Sequence, residues 1–197
     1  MSGEIRKPLC GLVLAGGRSS RMGTDKASLL HPDGRTLGRR CHDLLEQAGC
    51  ADVYLSLRAD QEVPEGFADK APELLRDADG SSGPVSGILA AMNSRPDADW
   101  LVVACDLPRL DLASLEHLLS SRREGELFLA YRSEFDSLPE PLCTWYSSEA
   151  REVVVKADHF CPRKILIRNE CRLLEPMTNG ALDNANTPED WKAATES

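Results

Sequence analysis

The chain has 197 residues, 42% of them hydrophobic and 28% charged, a globular balance that excludes disorder and leaves room for one α/β core but little for two. A formal charge of −9 and only 5% aromatic residues speak against general binding to DNA, RNA or anionic membranes, because the molecular field repels polyanions and offers few rings for base stacking. No apolar run reaches the ~18 residues needed to span a bilayer, and the opening MSGEIRKPLCG has no signal-peptide core, so a cytoplasmic protein with neither a nucleic acid nor a membrane as partner is expected.

In chain order, residues 9–15 form an apolar run of strand length, and a glycine-rich loop follows. The first helix is marked by Leu37, Cys41, Leu44, Leu45 and Ala48 on one face, with Gly49 at its C-terminal end. Strands are predicted over 52–57 and 74–76, and the charged stretch 59–72 between them reads as a flexible surface segment. A second helix begins after Gly83, with Pro84 in its first turn and Ile88, Leu89 and Met92 inward. Residues 100–105 are a third apolar strand, and a helix over 111–122 buries Leu112, Leu115, Leu118 and Leu119.

Downstream, strands are predicted over 126–131 and 142–146, with a flexible stretch at 133–141 and a helix over 148–157. Residues 163–174 fit a helix or a strand equally well. Thr187, Pro188 and Asp190 have the spacing of a capping box and predict a short C-terminal helix. Strands alternating with helices imply an α/β protein: a single three-layer, doubly wound domain over 1–197 with a mostly parallel sheet. Seven cysteines without CxxC spacing read as buried thiols of a reducing compartment, and His42 and His117 as surface or boundary residues.

The loop LAGGRSSRMGTDK, residues 14–26, carries the chemistry. Gly16 and Gly17 lack a Cβ, so their N–H groups can approach an anion, and Arg18, Arg21 and Lys26 bring positive charge. The spacing is neither that of a Walker loop nor that of a dinucleotide fold. Asp106 follows the strand over 100–105 and is predicted to emerge at the same sheet edge. There it can hold Mg²⁺ against phosphate oxygens or, on spacing alone, equally form a turn before Pro108. Asp77 precedes a glycine-rich turn, and its carboxylate suits the N1–H and N2–H₂ donors of guanine. Asn184 and Asn186 suit an acceptor phosphate, a metal sphere, or merely a loop before the Thr187 cap.

LAGGRSSRMGTDKASL is similar to the signature of nucleotidyltransferases of the molybdenum cofactor guanylyltransferase type, with every fixed element of that loop present. Three further segments resemble the same family in its order: Asp77 with Gly83-Pro84 and Gly87, then Cys105-Asp106-Leu107-Pro108, then the run from Asn184 to Asp190. With Pro139-Glu140-Pro141-Leu142, where some members carry histidine in place of Glu140, the likeness covers nearly the whole chain.

The resemblance implies a Rossmann-like nucleotide-diphospho-sugar transferase fold. It implies transfer of GMP from GTP to the terminal phosphate of molybdopterin, with Mg²⁺ as cofactor, pyrophosphate as leaving group, and a molybdoenzyme or cofactor-delivery protein as partner. Leu14, Ala15, Gly16, Gly17, Lys26, Asp77 and Asp106 would bind the nucleotide, with the Leu14-Ala15-Gly16 backbone sharing base selection. Lys26, Arg21 and Asp106 would be catalytic, Asp106 the metal ligand, and Asn184 and Asn186 the acceptor site. Arg39, Arg40 and Arg163 receive no assigned role. Rival readings are a cytidylyltransferase, a transferase for a phosphosugar or phosphoalcohol, and a non-catalytic nucleotide carrier.

Overall fold

In the computed structural model, which describes residues 7–16, 25–76 and 83–195, seven strands form one sheet: β1 (Leu9–Leu14), β2 (Asp52–Leu57), β3 (Glu73–Arg76), β4 (Asp99–Ala104), β5 (Phe128–Arg132), β6 (Pro139–Tyr146) and β7 (Arg172–Leu174). Their order across the sheet is β3-β2-β1-β4-β6-β5-β7. The first four run parallel, β6 is antiparallel to both β4 and β5, and β7 lies parallel to β5. The sheet is therefore mostly parallel, with β6 as the reversed strand.

The period of two along the central strands divides the core into two layers. Val13, Leu101 and Val103 face the helices α1 (Leu37–Gln47) and α3 (Leu112–Ser120). Leu12, Trp100 and Val102 face α2 (Pro84–Ser94), α4 (Ala150–Val155) and α5 (Pro162–Arg168). These six strand residues are fully buried, and burial of each aliphatic side chain among them contributes about 1.5–3 kcal/mol. Helix starts are local: Thr36 accepts from the Arg39 N–H at the head of α1, and Asp111 accepts from the Ser114 N–H (2.8 Å) at the head of α3. Among the described residues no helix is long and apolar enough to cross a membrane.

Close helix packing depends on glycine at one point of the sheet. A Cβ on Gly87 of α2 would overlap the Ser56 hydroxyl of β2 and stand 3.2 Å from Leu14, so the hydrogen of Gly87 lets α2 rest directly on the β1–β2 pair.

Four expectations change. The strand predicted over 142–146 begins at Pro139; proline is compatible with the first residue of a strand, and the hairpin to β5 is adjusted by a register shift at Ala130/Tyr131. The ambiguous 163–174 stretch holds both forms, α5 and then β7, each too short to show its period clearly. His42 is buried at 3% exposure, edge-on to Phe67 at 5.4 Å, because the segment over 59–72 folds across α1. Five of the seven cysteines are buried, whereas Cys161 and Cys171 are half-buried.

Candidate active site

Chain order places β1, β2 and β3 successively to one side, while β4 returns to the other side of β1. The crevice at the carboxyl ends of β1 and β4 is thus the switch point where open α/β sheets bind ligands. Leu14 O accepts from Cys105 N (3.2 Å) and Ala15 N donates to Ser56 O (3.0 Å), so the ends of β1, β2 and β4 are tied at one level.

Beyond β1, Asp25 caps a 3₁₀ turn over Lys26–Ser28, its Oδ1 accepting from Ala27 N at 3.1 Å. Ala27 is fully buried against α1 where Gly38 leaves space: a Cβ there would stand 3.1 Å from Ala27 O. This seat projects Lys26 into the crevice. Its Nζ donates to Asp106 Oδ2 at 3.2 Å and to Asn186 Oδ1 at 2.6 Å. The Lys26 and Asp106 side chains are 17% and 18% exposed, so their attraction is less screened than that of a surface pair.

The C-terminal motif is fastened to the same point by main chain. Ala185 N donates to Asp106 O at 2.9 Å. Helix α6 (Pro188–Thr195) begins with the expected reciprocal cap: Thr187 Oγ1 accepts from Asp190 N (3.1 Å), and Asp190 Oδ2 accepts from Thr187 N (2.9 Å) and Asn186 N (3.1 Å). Asp106 Oδ1 is buried and has no hydrogen-bond partner among the described residues. A buried carboxylate oxygen left open beside a crevice has the chemistry of a hard-cation ligand.

Three of the sequence-predicted site residues, Gly17, Arg21 and Asp77, lie outside the described residues, as does Arg18. Leu14, Ala15 and Gly16 stand at the end of β1, but much of the Leu14-Ala15 backbone is already engaged. Besides the two bonds above, Ala15 O accepts from Gln61 Nε2 at 2.9 Å, leaving each carbonyl only its second lone pair for a base. Gln61 carries no sequence signal; it is one amide within a charged coil.

Asn184 and Asn186 line a cavity of about 320 Å³ together with Arg132, Asp136, Glu140 and Arg163. Arg163 sits in the first turn of α5, its Nη1 donating to Asp136 Oδ2 at 2.7 Å and its Nη2 lying 3.6 Å from Glu140 Oε2. Burial pushes the Glu140 carboxyl above the usual range, opposed by the Leu142 N–H and the Arg163 charge. Arg39 has a different task, bonding Asp43 (2.7 Å), Gly66 O (2.9 Å) and Asp69 (2.5 Å) to hold the 59–72 segment on α1. Arg40 lies 3.2 Å from Asp33, and neither Arg39 nor Arg40 lines the cavity.

A second acidic group, His42 with Asp43 and Glu46, lies on α1. Asp43 is paired with Arg35 and Arg39, and Glu46 with Lys70, so these carboxylates are occupied by side-chain cations. The thiols near Asp106 are inert: burial pushes Cys41 up to about 12 and Cys105 well above its ordinary value.

Residues 11–170 match the model of the MobA-like NTP transferase domain. The chain belongs to this family. It is 38% identical to a molybdenum cofactor biosynthesis bifunctional protein of Synechocystis, over 93% of this chain and 53% of that longer protein, so it spans about half of that relative. It is 33% identical to a molybdenum cofactor guanylyltransferase of Xanthomonas euvesicatoria, over 95% of this chain and 94% of the relative. The molybdopterin-guanine dinucleotide biosynthesis protein A of Archaeoglobus fulgidus shares the fold, with a TM-score of 0.74 at 24% identity over 95% of this chain and 97% of that one. The Archaeoglobus fulgidus protein thus shares the fold in which Lys26, Asp106 and Asn186 of this chain converge.

Proposed function

We propose that residues 1–197 act as one cytoplasmic nucleotidyltransferase domain that moves GMP from GTP to the terminal phosphate of molybdopterin and releases pyrophosphate. The observation that carries this reading is the meeting of Lys26, Asp106 and Asn186, from three distant segments, at the switch point of the sheet. A relative aligned over 94% of its own length bears the name guanylyltransferase.

In this reading Gly16 and Gly17 hold the triphosphate by main-chain N–H groups, and Asp77 accepts the guanine N1–H and N2–H₂. Lys26, with Arg21, neutralises charge growing on the β- and γ-phosphates as the bond to the α-phosphorus breaks. The acceptor phosphate attacks that phosphorus in line, so the work of the protein is alignment and neutralisation rather than covalent chemistry. Mg²⁺ would be held by Asp106, whose open Oδ1 fits it, and would draw charge from the phosphate oxygens.

Asn184, Asn186 and Arg163 line the cavity assigned to the acceptor. Because Asn186 also accepts from Lys26, the two substrates would be registered through one amide. A molybdoenzyme or delivery protein would receive the product.

The test is pyrophosphate release with molybdopterin present, comparing GTP with CTP. A clear preference for GTP is expected. A preference for CTP overturns the base assignment, and tight Mg–GTP binding without turnover on any phosphorylated acceptor replaces the transferase with a nucleotide carrier.

A further inference from the structure

Gln61 lies in the β2–β3 connection, which its composition marks as a flexible surface stretch, yet it is 6% exposed. Its Nε2 donates to Ala15 O at 2.9 Å and to Asp25 Oδ2 at 2.5 Å, and its Oε1 accepts from Arg58 N at 3.3 Å. Two acceptors on one side and a donor on the other settle which way the amide points. The backbone beneath it is clasped by Arg76, whose Nη1 donates to the carbonyls of Gln61 (2.8 Å), Arg58 (3.0 Å) and Ala59 (3.4 Å).

Ala15 and Asp25 stand immediately before and after residues 16–24, the glycine-rich loop. One side chain therefore bonds both of its ends. Asp25 in turn caps Ala27 N and starts the 3₁₀ turn that carries Lys26. We propose that Gln61 is a positioning residue that clamps Ala15 to Asp25 and so holds Lys26 against Asp106. The clamp acts on the neutralising role given to Lys26 above and rests on that reading for its effect on rate.

The chemistry requires an amide. Only a side chain with two N–H donors and one carbonyl satisfies Ala15 O, Asp25 and Arg58 N together. A glutamate would set its carboxylate against Asp25 and the Ala15 carbonyl, with Arg58 close by in the same connection and Arg76 reaching over from the end of β3. A methionine would keep the length and take this donor from the buried Ala15 O and the part-buried Asp25 Oδ2.

The experiment is a double-mutant cycle on Gln61→Glu and Asp25→Asn, with Gln61→Met alongside. Each variant is followed by steady-state kinetics and by amide hydrogen exchange at Ala27, a readout independent of turnover. Gln61→Glu is expected to lower kcat about 10- to 100-fold, the scale of a lost hydrogen bond to a charged group, to leave the acceptor KM within about twofold, and to speed exchange at Ala27. The Gln61→Glu/Asp25→Asn pair restores a donor between the two positions and keeps an oxygen for Ala27 N; it should recover part of the kcat and of the slow exchange, the share owed to the Asp25 bond, while the Ala15 bond stays lost. A residue that merely fills space would show no loss in Gln61→Glu, whose side chain has nearly the same shape, and so nothing for Asp25→Asn to recover. Absence of recovery, or a Gln61→Met protein with normal kcat and slow Ala27 exchange, overturns the proposal. If the unmodified protein releases no pyrophosphate, the transferase reading fails by itself, while exchange at Ala27 still decides whether the clamp exists.

Discussion

The two halves of the sheet hold their sites by different means. At the parallel end, the crevice is fastened largely through main chain: Leu14 to Cys105, Ala15 to Ser56 and Ala185 to Asp106, with Gln61 adding an amide clamp. Around the antiparallel end, beside β5 and β6, the cavity wall is held by side-chain ion pairs, Arg163 with Asp136 at 2.7 Å and Arg132 with Glu175 at 2.7 Å. Backbone bonds fix position and resist salt, whereas partly exposed ion pairs are screened and can be exchanged for a ligand's charges. The difference suits the proposed assignment, in which a nucleotide grip at the parallel end would face an acceptor site whose internal pairs give way to a phosphate.

The largest expected effect breaks the parallel end. Lys26→Ala and Asp106→Ala should each lower kcat by about 10³-fold or more, the scale of losing a charge that acts in the transition state, while circular dichroism shows a folded protein. A wild-type rate in either variant would remove this crevice from the chemistry.

Arg163→Ala sharpens the comparison from the other end. It should raise the acceptor KM about 10- to 100-fold, as expected for a lost charge-assisted contact, and leave the GTP KM unchanged. Equal changes for both substrates would mean that the two halves do not bind separate partners.

Gly87→Ala tests packing rather than chemistry. The added methyl meets Ser56 and Leu14 and should cost about 1–3 kcal/mol by overpacking, read as a lower urea midpoint at unchanged slope.

The smallest effect is a pH dependence at Glu140. Its carboxyl is raised by burial from an ordinary value of 4.5, so the folded protein keeps this proton after the unfolded chain has lost it. The folded state then binds more protons from pH 4.5 upward to the raised value, and stability falls as pH rises through that window. A glutamine side chain at this position has no such proton to lose, so Glu140→Gln should gain stability relative to the parent protein as pH rises from about 4 to about 7 in denaturant titrations. A difference that stays flat with pH would contradict the burial argument.

Legibility followed the range of the interactions. The α6 cap was readable because Thr187 and Asp190 lie within one turn, and β1 and β4 were readable as apolar runs bounded by polar loops. The reversal of β6 was not, since a strand's own residues do not state its direction relative to a neighbour. Nor was Gln61, whose partners at Ala15 and Asp25 stand 46 and 36 positions away. His42 was misread because the cover over it comes from Phe67, in a segment whose charge suggests solvent.

By itself, the amino-acid order determined the alternation of strands and helices, the helix caps and the residue types of the glycine-rich loop, all set by periodicity and by bonds that close within a few positions. The strand pattern already pointed Asp106 to the sheet edge of the glycine-rich loop, but the tertiary structure alone decided that Asn186 joins Lys26 and Asp106 at one point and that Arg163 and Glu140 wall the neighbouring cavity. Those meetings depend on strand order and crossover, which place distant segments side by side only once the whole sheet has closed.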